Sequence, residues 1–325
     1  MTKKVRIGIL GTSEIAFRRF LPALMKCPEF TYVGVASRDL SRTAPFIEKF
    51  GGKGYASYDA LLADEDIDAV YVPLPPALHF QWGKKALKSG KHIFMEKPFT
   101  TTSADTKVLL SLADEKGLAI HENYMFLYHS QLRWIEKQVR SGAIGDLRLI
   151  RAAFGFPKRA DTDFRYNKEL GGGALLDCGG YTVQLAEYLL GESTHVTAAN
   201  LVCPDDYEVD LYGTATLENN AGQTAQITFG MDNSYKCELE LWGSTGCLTA
   251  NRIFTAPVDF APVIDLRTGQ RDEQLKLPAD DSFRNSIQAF SELIHSPSER
   301  GAYVHNVRRQ SDLTAKIVEI SLKNS

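Results

Sequence analysis

Through the first third of the chain, short apolar runs alternate with stretches whose apolar residues recur at helical spacing. The runs Val5 to Leu10, Tyr32 to Ala36, Ala69 to Val72, His92 to Met95 and Leu118 to His121 predict strands. Between them, Glu14 to Lys26, Ser41 to Phe50, Pro76 to Ser89 and Ser103 to Lys116 predict amphipathic helices. This alternation forces a parallel sheet with right-handed crossovers. From about Tyr124 the character changes. A helix carrying Trp134 and Val139 is followed by the strand-like runs Leu147 to Phe156, Val196 to Val202, Asp210 to Leu217, Gln223 to Met231 and Tyr235 to Trp242. Turn signals such as Glu218-Asn219-Asn220 and Asp232-Asn233-Ser234 separate several of these runs and imply a large, mainly antiparallel open sheet. Two helices, Phe283 to His295 and Val307 to Lys323, close the chain. The expected fold is therefore α/β in residues 1–122 and α+β in residues 123–325. No Gly/Ser linker separates the halves, so the boundary near Asn123 is expected to be a packed hinge.

A length of 325 residues suits two domains, each able to bury a core. A formal net charge of -3 gives no long-range attraction to nucleic acid or acidic membranes, which points to a small-molecule partner in a cleft. The opening MTKKVRIGILG has too short an apolar stretch for a signal peptide and reads as a strand. No run approaches the roughly 18 apolar residues of a membrane span. The five cysteines are scattered, which points to a reduced, cytoplasmic protein. Neither Cys-x-x-Cys nor a helical histidine pair at metal spacing occurs, so no metal is expected.

The segment Gly8-Ile9-Leu10-Gly11-Thr12-Ser13-Glu14-Ile15-Ala16 sits where a dinucleotide fingerprint belongs, between the first strand and the first helix. Gly11 permits the tight turn, Ala16 allows close helix packing, and amides of the turn around Thr12, Ser13, Glu14 and Ile15 face a pyrophosphate. Ser13 replaces the usual middle glycine. At the end of the second strand, Ser37 and Arg38 offer a hydroxyl and a guanidinium to a 2'-phosphate. That favours NADP(H), with NAD(H) as the alternative if Arg38 is a solvated turn residue and Asp39 binds the ribose. Pro73 and Leu74 leave the sheet as a loop over the cofactor, because proline cannot donate to a ladder. His79 follows as a cofactor-side candidate or as a cap at a helix start.

Two segments carry the chemistry, MEKP at Met95 to Pro98 and GGGALLDCGGY at Gly171 to Tyr181. Lys97 ends an apolar strand and precedes a proline, so its ammonium falls at the carboxyl end of the sheet, where α/β folds bind ligands. Glu96 stands beside it on the cofactor side. Asp177 and Tyr181 lie four residues apart on one helical face. Reduction of a ketone needs a proton donor at the developing alkoxide. Tyr181 can be that donor with Lys97 stabilising charge, and Asp177 suits a neighbouring hydroxyl or the task of holding Lys97 charged. The structural alternatives are a salt-bridged lysine, a helix-turn aspartate and a core tyrosine. The loop Phe156 to Lys168, with Arg159, Arg165 and several aromatics, suits a nucleotide-sugar, and solvated loop charge is its plainer reading. Tyr124, near the hinge, is a further substrate-side candidate.

The glycine turn, Glu96-Lys97-Pro98, Glu122-Asn123-Tyr124-Met125-Phe126, and Gly171-Gly172-Gly173-Ala174-Leu175-Leu176-Asp177 with Tyr181 together resemble the glucose-fructose oxidoreductase, inositol dehydrogenase and MocA superfamily over essentially the whole chain. The resemblance implies a Rossmann domain, a second domain whose open sheet supports a homo-oligomer (dimer or tetramer), and hydride transfer between a nicotinamide and a sugar carbon. It puts the catalytic lysine at Lys97, the substrate-binding aspartate at Asp177, on a sugar hydroxyl, and the catalytic histidine or tyrosine at Tyr181, and it implies the alternative in which Lys97 is the proton donor and Tyr181 orients the carbonyl. The turn Gly11 to Ala16 with Arg18-Arg19 and Leu21-Pro22-Ala23-Leu24 is most similar to NDP-hexose 3-ketoreductases. The expectation is thus an NADP-dependent ketoreductase of a nucleotide-linked keto-hexose. Its rivals are a dehydrogenase of a free sugar, inositol or cyclic diol, and a non-catalytic nicotinamide-binding sensor, which would have no need of an acid-base pair.

Overall fold

A computed structural model describes residues 3–324, and the chain divides into two compact units. The first comprises residues 1–123 and 283–311, the second residues 124–282 and 312–325. The change of unit at Asn123 lies one residue from the boundary read in the sequence. The expectation that everything beyond it belongs to the second half needs correction, because 283–311 returns to the first unit. Phe290 explains that return: it is fully buried, stacked near Phe30 and edge-on to Phe94.

In the first unit, β1 (Val5–Leu10), β2 (Phe30–Ala36), β3 (Lys53–Tyr55), β4 (Ala69–Val72), β5 (His92–Met95) and β6 (Ile120–Glu122) form a parallel sheet in the order β3-β2-β1-β4-β5-β6. The order reverses between β1 and β4, which opens a crevice at the carboxyl ends of those strands. The helices are α1 (Leu21–Leu24), α2 (Ala44–Phe50), α3 (Tyr58–Leu62), α4 (His79–Lys88) and α5 (Ser103–Lys116). Residues 14–24 are helical throughout, with a wide π-type turn over Ala16–Phe20 ahead of α1. Thr102 caps α5 by accepting from the Asp105 amide, and Gly117 ends it in the left-handed conformation. The central strands are buried on both faces: Ile7, Ile9, Val70, Val72, Ile93 and Phe94 have no exposed surface. Two elements here escaped the sequence reading. β3 is a three-residue edge strand containing a glycine, and α3 has five residues; both are shorter than the windows that reveal a period.

In the second unit, α6 (Ser130–Arg140) precedes β7 (Leu147–Gly155), and α7 (Gly180–Leu190) precedes seven further strands. These are β8 (His195–Val202), β9 (Tyr212–Glu218), β10 (Thr224–Gly230), β11 (Lys236–Gly243), β12 (Gly246–Asn251), β13 (Val263–Thr268) and β14 (Asp272–Lys276). The order is β14-β13-β12-β11-β7-β10-β9-β8, antiparallel except where β10 pairs with β7. Alternation decides the faces: Ile150, Ala152, Phe154, Ile227, Phe229, Leu239 and Leu241 point inward, while Arg151, Gln226, Glu240 and Trp242 lie on the opposite face. β12 to β14 were not expected from sequence. β14, with Asp272, Glu273, Gln274 and Lys276 around one leucine, has the charged composition that protects a sheet edge and so looks like a loop. α8 (Ser282–His295) and α9 (Arg300–Asn324) complete the chain, and α9 starts seven residues before the expected Val307.

Three histidines of the first unit are stored in their neutral form. Burial pushes His79 and His92 down to about 4 and His121 down to about 3. The His92 Nδ1 also accepts the Ala119 amide at 2.9 Å, a bond that protonation there would break. The unfolded chain, whose imidazoles titrate near ~6.5, binds protons that the folded chain refuses. Stability is therefore full above that pH and declines as the pH falls toward 4. Unfolding at pH 5 is expected to take up about three protons from these groups, at roughly 1.4 kcal/mol per pH unit for each. Denaturant melts between pH 7 and 5 check this, and a flat profile contradicts it.

Candidate active site

The phosphate turn begins where β1 ends. Gly11 has φ +110°, and a Cβ there would lie 2.9 Å from Leu74 Cδ2, so glycine is required both for the turn and for the loop that follows β4. Ser13, standing where the fingerprint has a glycine, accepts the Ala16 amide on its Oγ at 3.2 Å and so caps the helical run. The amides of Glu14 and Ile15 fall in the first turn, where no carbonyl lies one turn back to receive them. The Glu14 side chain pairs with Arg18 at 3.1 Å on the surface, which leaves its backbone as its contribution to an anion.

At the carboxyl end of β2, Ser37 is buried and its Oγ accepts the Asp39 amide at 3.3 Å. Asp39 accepts from the Ser41 amide at 3.0 Å and hydroxyl at 2.7 Å, and these bonds hold its carboxyl below the usual range. Asp39 is thus a cap for the 3-10 turn Leu40–Thr43, which leaves Ser37 and exposed Arg38 as the polar groups at this strand end. Arg38 and Arg42 both act electrostatically on Tyr58, whose hydroxyl would lie 3.6 Å from a Cβ at Gly11. Arg42 is a second cation here that the sequence reading missed. The residues of this unit fit a dinucleotide with a 2'-phosphate.

At the end of β5, Glu96 is only partly exposed, and its Oε1 accepts the Tyr71 hydroxyl and the Asn123 Nδ2, both at 2.7 Å. Asn123 is oriented in turn by the Ser286 hydroxyl, which donates to its Oδ1 at 2.9 Å while receiving His121 Nε2 at 2.8 Å. After Lys97 the chain is fixed again. The Lys97-Pro98 bond is cis, and the Phe99 amide donates to Glu122 Oε1 at 2.7 Å. His79 is completely buried, with Nδ1 2.8 Å from the Pro98 carbonyl and Nε2 2.8 Å from the Leu74 carbonyl. Both its nitrogens thus face main chain, which makes His79 a support tying the Leu74 loop to the Lys97 segment rather than a ligand. Its place at the first position of α4 was legible; its two partners were not.

In the second unit, the glycine triplet makes room for backbone and carboxylate. Gly173 has φ +118°, a Cβ there would lie 2.5 Å from Asp210 Oδ1, and its amide donates to the Arg165 carbonyl at 2.9 Å. Asp210 caps the helix that follows: Oδ2 accepts the Leu175 amide at 2.7 Å, and its carbonyl accepts that of Ala174 at 2.8 Å. The helix opens with a π-type turn over Leu175–Gly179 and continues as α7. Asp177 Oδ2 accepts Arg165 Nε at 2.7 Å, while Arg165 Nη1 reaches Asp163 at 3.0 Å. The sequence reading gave Arg165 to the substrate; here two carboxylates take its guanidinium, and it fixes Asp177. Tyr181 is buried, with Tyr124 and Phe154 each 5.2 Å from its ring centre and its hydroxyl 3.8 Å from Met125 Sδ. Tyr124 is also buried, edge-on to Tyr181. Asp210, Asp163 and Tyr71 had no sequence signal, because each acts through a partner distant in sequence or within a loop of unpredicted shape.

Residues 5–124 match the model of an oxidoreductase family with an NAD-binding Rossmann fold, and residues 132–249 match the GFO/IDH/MocA C-terminal domain. The chain belongs to the GFO/IDH/MocA oxidoreductase family. It is 41% identical to a dTDP-3,4-didehydro-2,6-dideoxy-alpha-D-glucose 3-reductase of Actinomadura kijaniata, over 95% of this chain and 93% of that one. A solved 3-ketoreductase from the same organism, in complex with NADP and TDP-benzene, superimposes with a TM-score of 0.95 at 40% identity and covers 98% of both chains. More distantly, a D-xylose 1-dehydrogenase (NADP(+)) of Haloferax volcanii is 30% identical over 89% of each chain. No helix among the described residues is long and apolar enough to cross a membrane, and no group of three or more His, Cys, Asp and Glu among them could hold a metal ion.

Gly173→Ala should displace the Asp210 cap and strain the backbone, costing about 1–3 kcal/mol of stability. Turnover should fall with it, since Asp177 and Tyr181 follow on the same helix. Thermal melts and steady-state rates check this; wild-type values for both would contradict the role given to the glycine.

Proposed function

We propose that this oxidoreductase uses NADPH to reduce a keto group, on the relatives' precedent the 3-keto group, of a deoxyhexose linked to a nucleoside diphosphate. The observation that carries the reading is the match, over nearly the whole of both chains, to a 3-ketoreductase solved with NADP and TDP-benzene. Support comes from this chain's own residues at both kinds of site. Ser37, Arg38 and Arg42 gather a hydroxyl and two guanidiniums near the phosphate turn, which suits a 2'-phosphate.

Bound NADPH would supply the hydride. Lys97 carries a cation whose two following residues, Pro98 and Phe99, are held by His79 and Glu122, suited to stabilising an alkoxide or to protonating it. Tyr181 carries a phenol in an aromatic box that excludes water from its ring, suited to donating the proton or to orienting the carbonyl. Asp177 is held by Arg165, which favours its ionised form and makes it an acceptor for a sugar hydroxyl. The reading extends to a homo-oligomer, dimer or tetramer, in a reduced cytoplasmic setting that accords with five cysteines in no paired spacing.

Two outcomes test it. Arg38→Ala should weaken NADPH binding by about 1–3 kcal/mol and leave NADH binding almost unchanged; equal losses in a fluorescence titration would remove Arg38 from the 2'-phosphate. The second is a substrate comparison. Binding energy from a remote nucleotide should help orient the keto carbon, so a matched free keto-sugar should lose kcat as well as affinity. Equal NADPH oxidation rates on the two substrates would favour a dehydrogenase of free sugars, the activity named for the Haloferax relative.

A further inference from the structure

We propose that Glu96 is the positioning residue of Lys97, and that its carboxylate is kept ionised by a hydrogen-bonded chain running from Tyr71 and from His121 through Ser286 and Asn123. The inference rests on the reading of Lys97 as the residue at the reacting oxygen. The two residues are consecutive at the end of β5, and the charge of Lys97 acts on the Glu96 carboxylate. Asp177, the other carboxylate considered for this task, already has Arg165 at 2.7 Å.

With Glu96 ionised, one polarity of the chain follows link by link. Tyr71 and Asn123 can only donate to a carboxylate oxygen, and both reach the same Oε1 at 2.7 Å. Asn123 presents its amide nitrogen to Glu96 because the Ser286 hydroxyl donates to its oxygen at 2.9 Å. Ser286 is free to donate because its own acceptor site takes His121 Nε2 at 2.8 Å. Every donor thus points toward the carboxylate. A carboxyl so placed is pushed up by burial and drawn back by the Asn123 and Tyr71 bonds and by the charge of Lys97. The other titratable groups around it do not replace these donors. His79 from α4 and His121 at the end of β6 are neutral through burial, and the Glu122 carboxylate is turned to the Phe99 amide.

Protonation of Glu96 removes the charge that acts on Lys97, so activity is lost on the acid side as Glu96 titrates. Removing a donor destabilises the ionised form and moves that loss to higher pH. The test is the pH profile of kcat for NADPH-dependent ketone reduction in wild type, Tyr71→Phe, Ser286→Ala and Glu96→Gln, with NADPH affinity measured alongside. Tyr71→Phe keeps the ring stacked on Phe20, and thermal melts confirm that each variant folds. In Tyr71→Phe and Ser286→Ala the acid limb should move up by about one pH unit, the scale of one lost hydrogen bond to a charged group. Glu96→Gln, which keeps the shape and an acceptor oxygen, should lose that limb and lower kcat about ten- to a hundredfold, the usual scale for a misplaced catalytic group. NADPH affinity should be kept. An acid limb unmoved in Tyr71→Phe, a wild-type profile in Glu96→Gln, or a loss confined to NADPH affinity would each overturn the proposal. Lys97→Ala is the separate control: wild-type turnover there would withdraw Lys97 from the chemistry, whatever Glu96 does.

Discussion

A carboxylate and an ammonium, consecutive in the chain, stand just beyond Ile93, Phe94 and Met95, three strand residues with no exposed surface. Such a carboxylate is costly to bury without donors, and the first unit is arranged to supply them. The hydroxyl of Tyr71 comes from the adjacent strand, and the amide of Asn123 from just beyond β6. Ser286, which sets the direction of that amide, comes from α8. This polar chain gives a physical reason for residues 283–311 to return to the first unit, alongside the packing of Phe290. One side chain at the end of β5 thus constrains two strands and a helix from the far end of the sequence.

The second unit solves a similar problem with backbone. Asp210 caps the helix of Asp177 and Tyr181, and the glycine at 173 is what lets its carboxylate approach. Arg165 holds Asp177 from the other side and is itself shared with Asp163. The single guanidinium of this cluster is shared between two carboxylates before any substrate arrives. A diphosphate that approached Arg165 would compete with two carboxylates for it.

Legibility in the sequence follows the range of the interaction. β1, β4 and β5 were read to the residue, because continuous apolar runs bounded by glycine, proline or charge are local signals. The glycine turn, carried by a few consecutive residues, likewise lies where it was read, at the end of β1. Short or charged edge elements such as β3 and β14 were lost, since their composition answers to edge protection rather than to a core. The partners of site residues were lost for a different reason. Asn123 meets Ser286 across 163 positions and Leu175 meets Asp210 across 35, and only the folded chain brings them together. The bonds from Ser41 to Asp39 are local but lie in a turn whose shape the sequence did not give away.

The central claim is that this chain delivers a hydride to the keto carbon of a nucleotide-linked deoxyhexose. The most direct measurement is isotopic: the protein is incubated with NADPH deuterated at the transferable position and a dTDP-linked 3-keto-deoxyhexose, and the sugar is examined by NMR. The account predicts one deuterium at the former carbonyl carbon for each NADP+ formed. Cofactor turnover without deuterium in the nucleotide-linked sugar, or transfer seen only with free sugars, would contradict it.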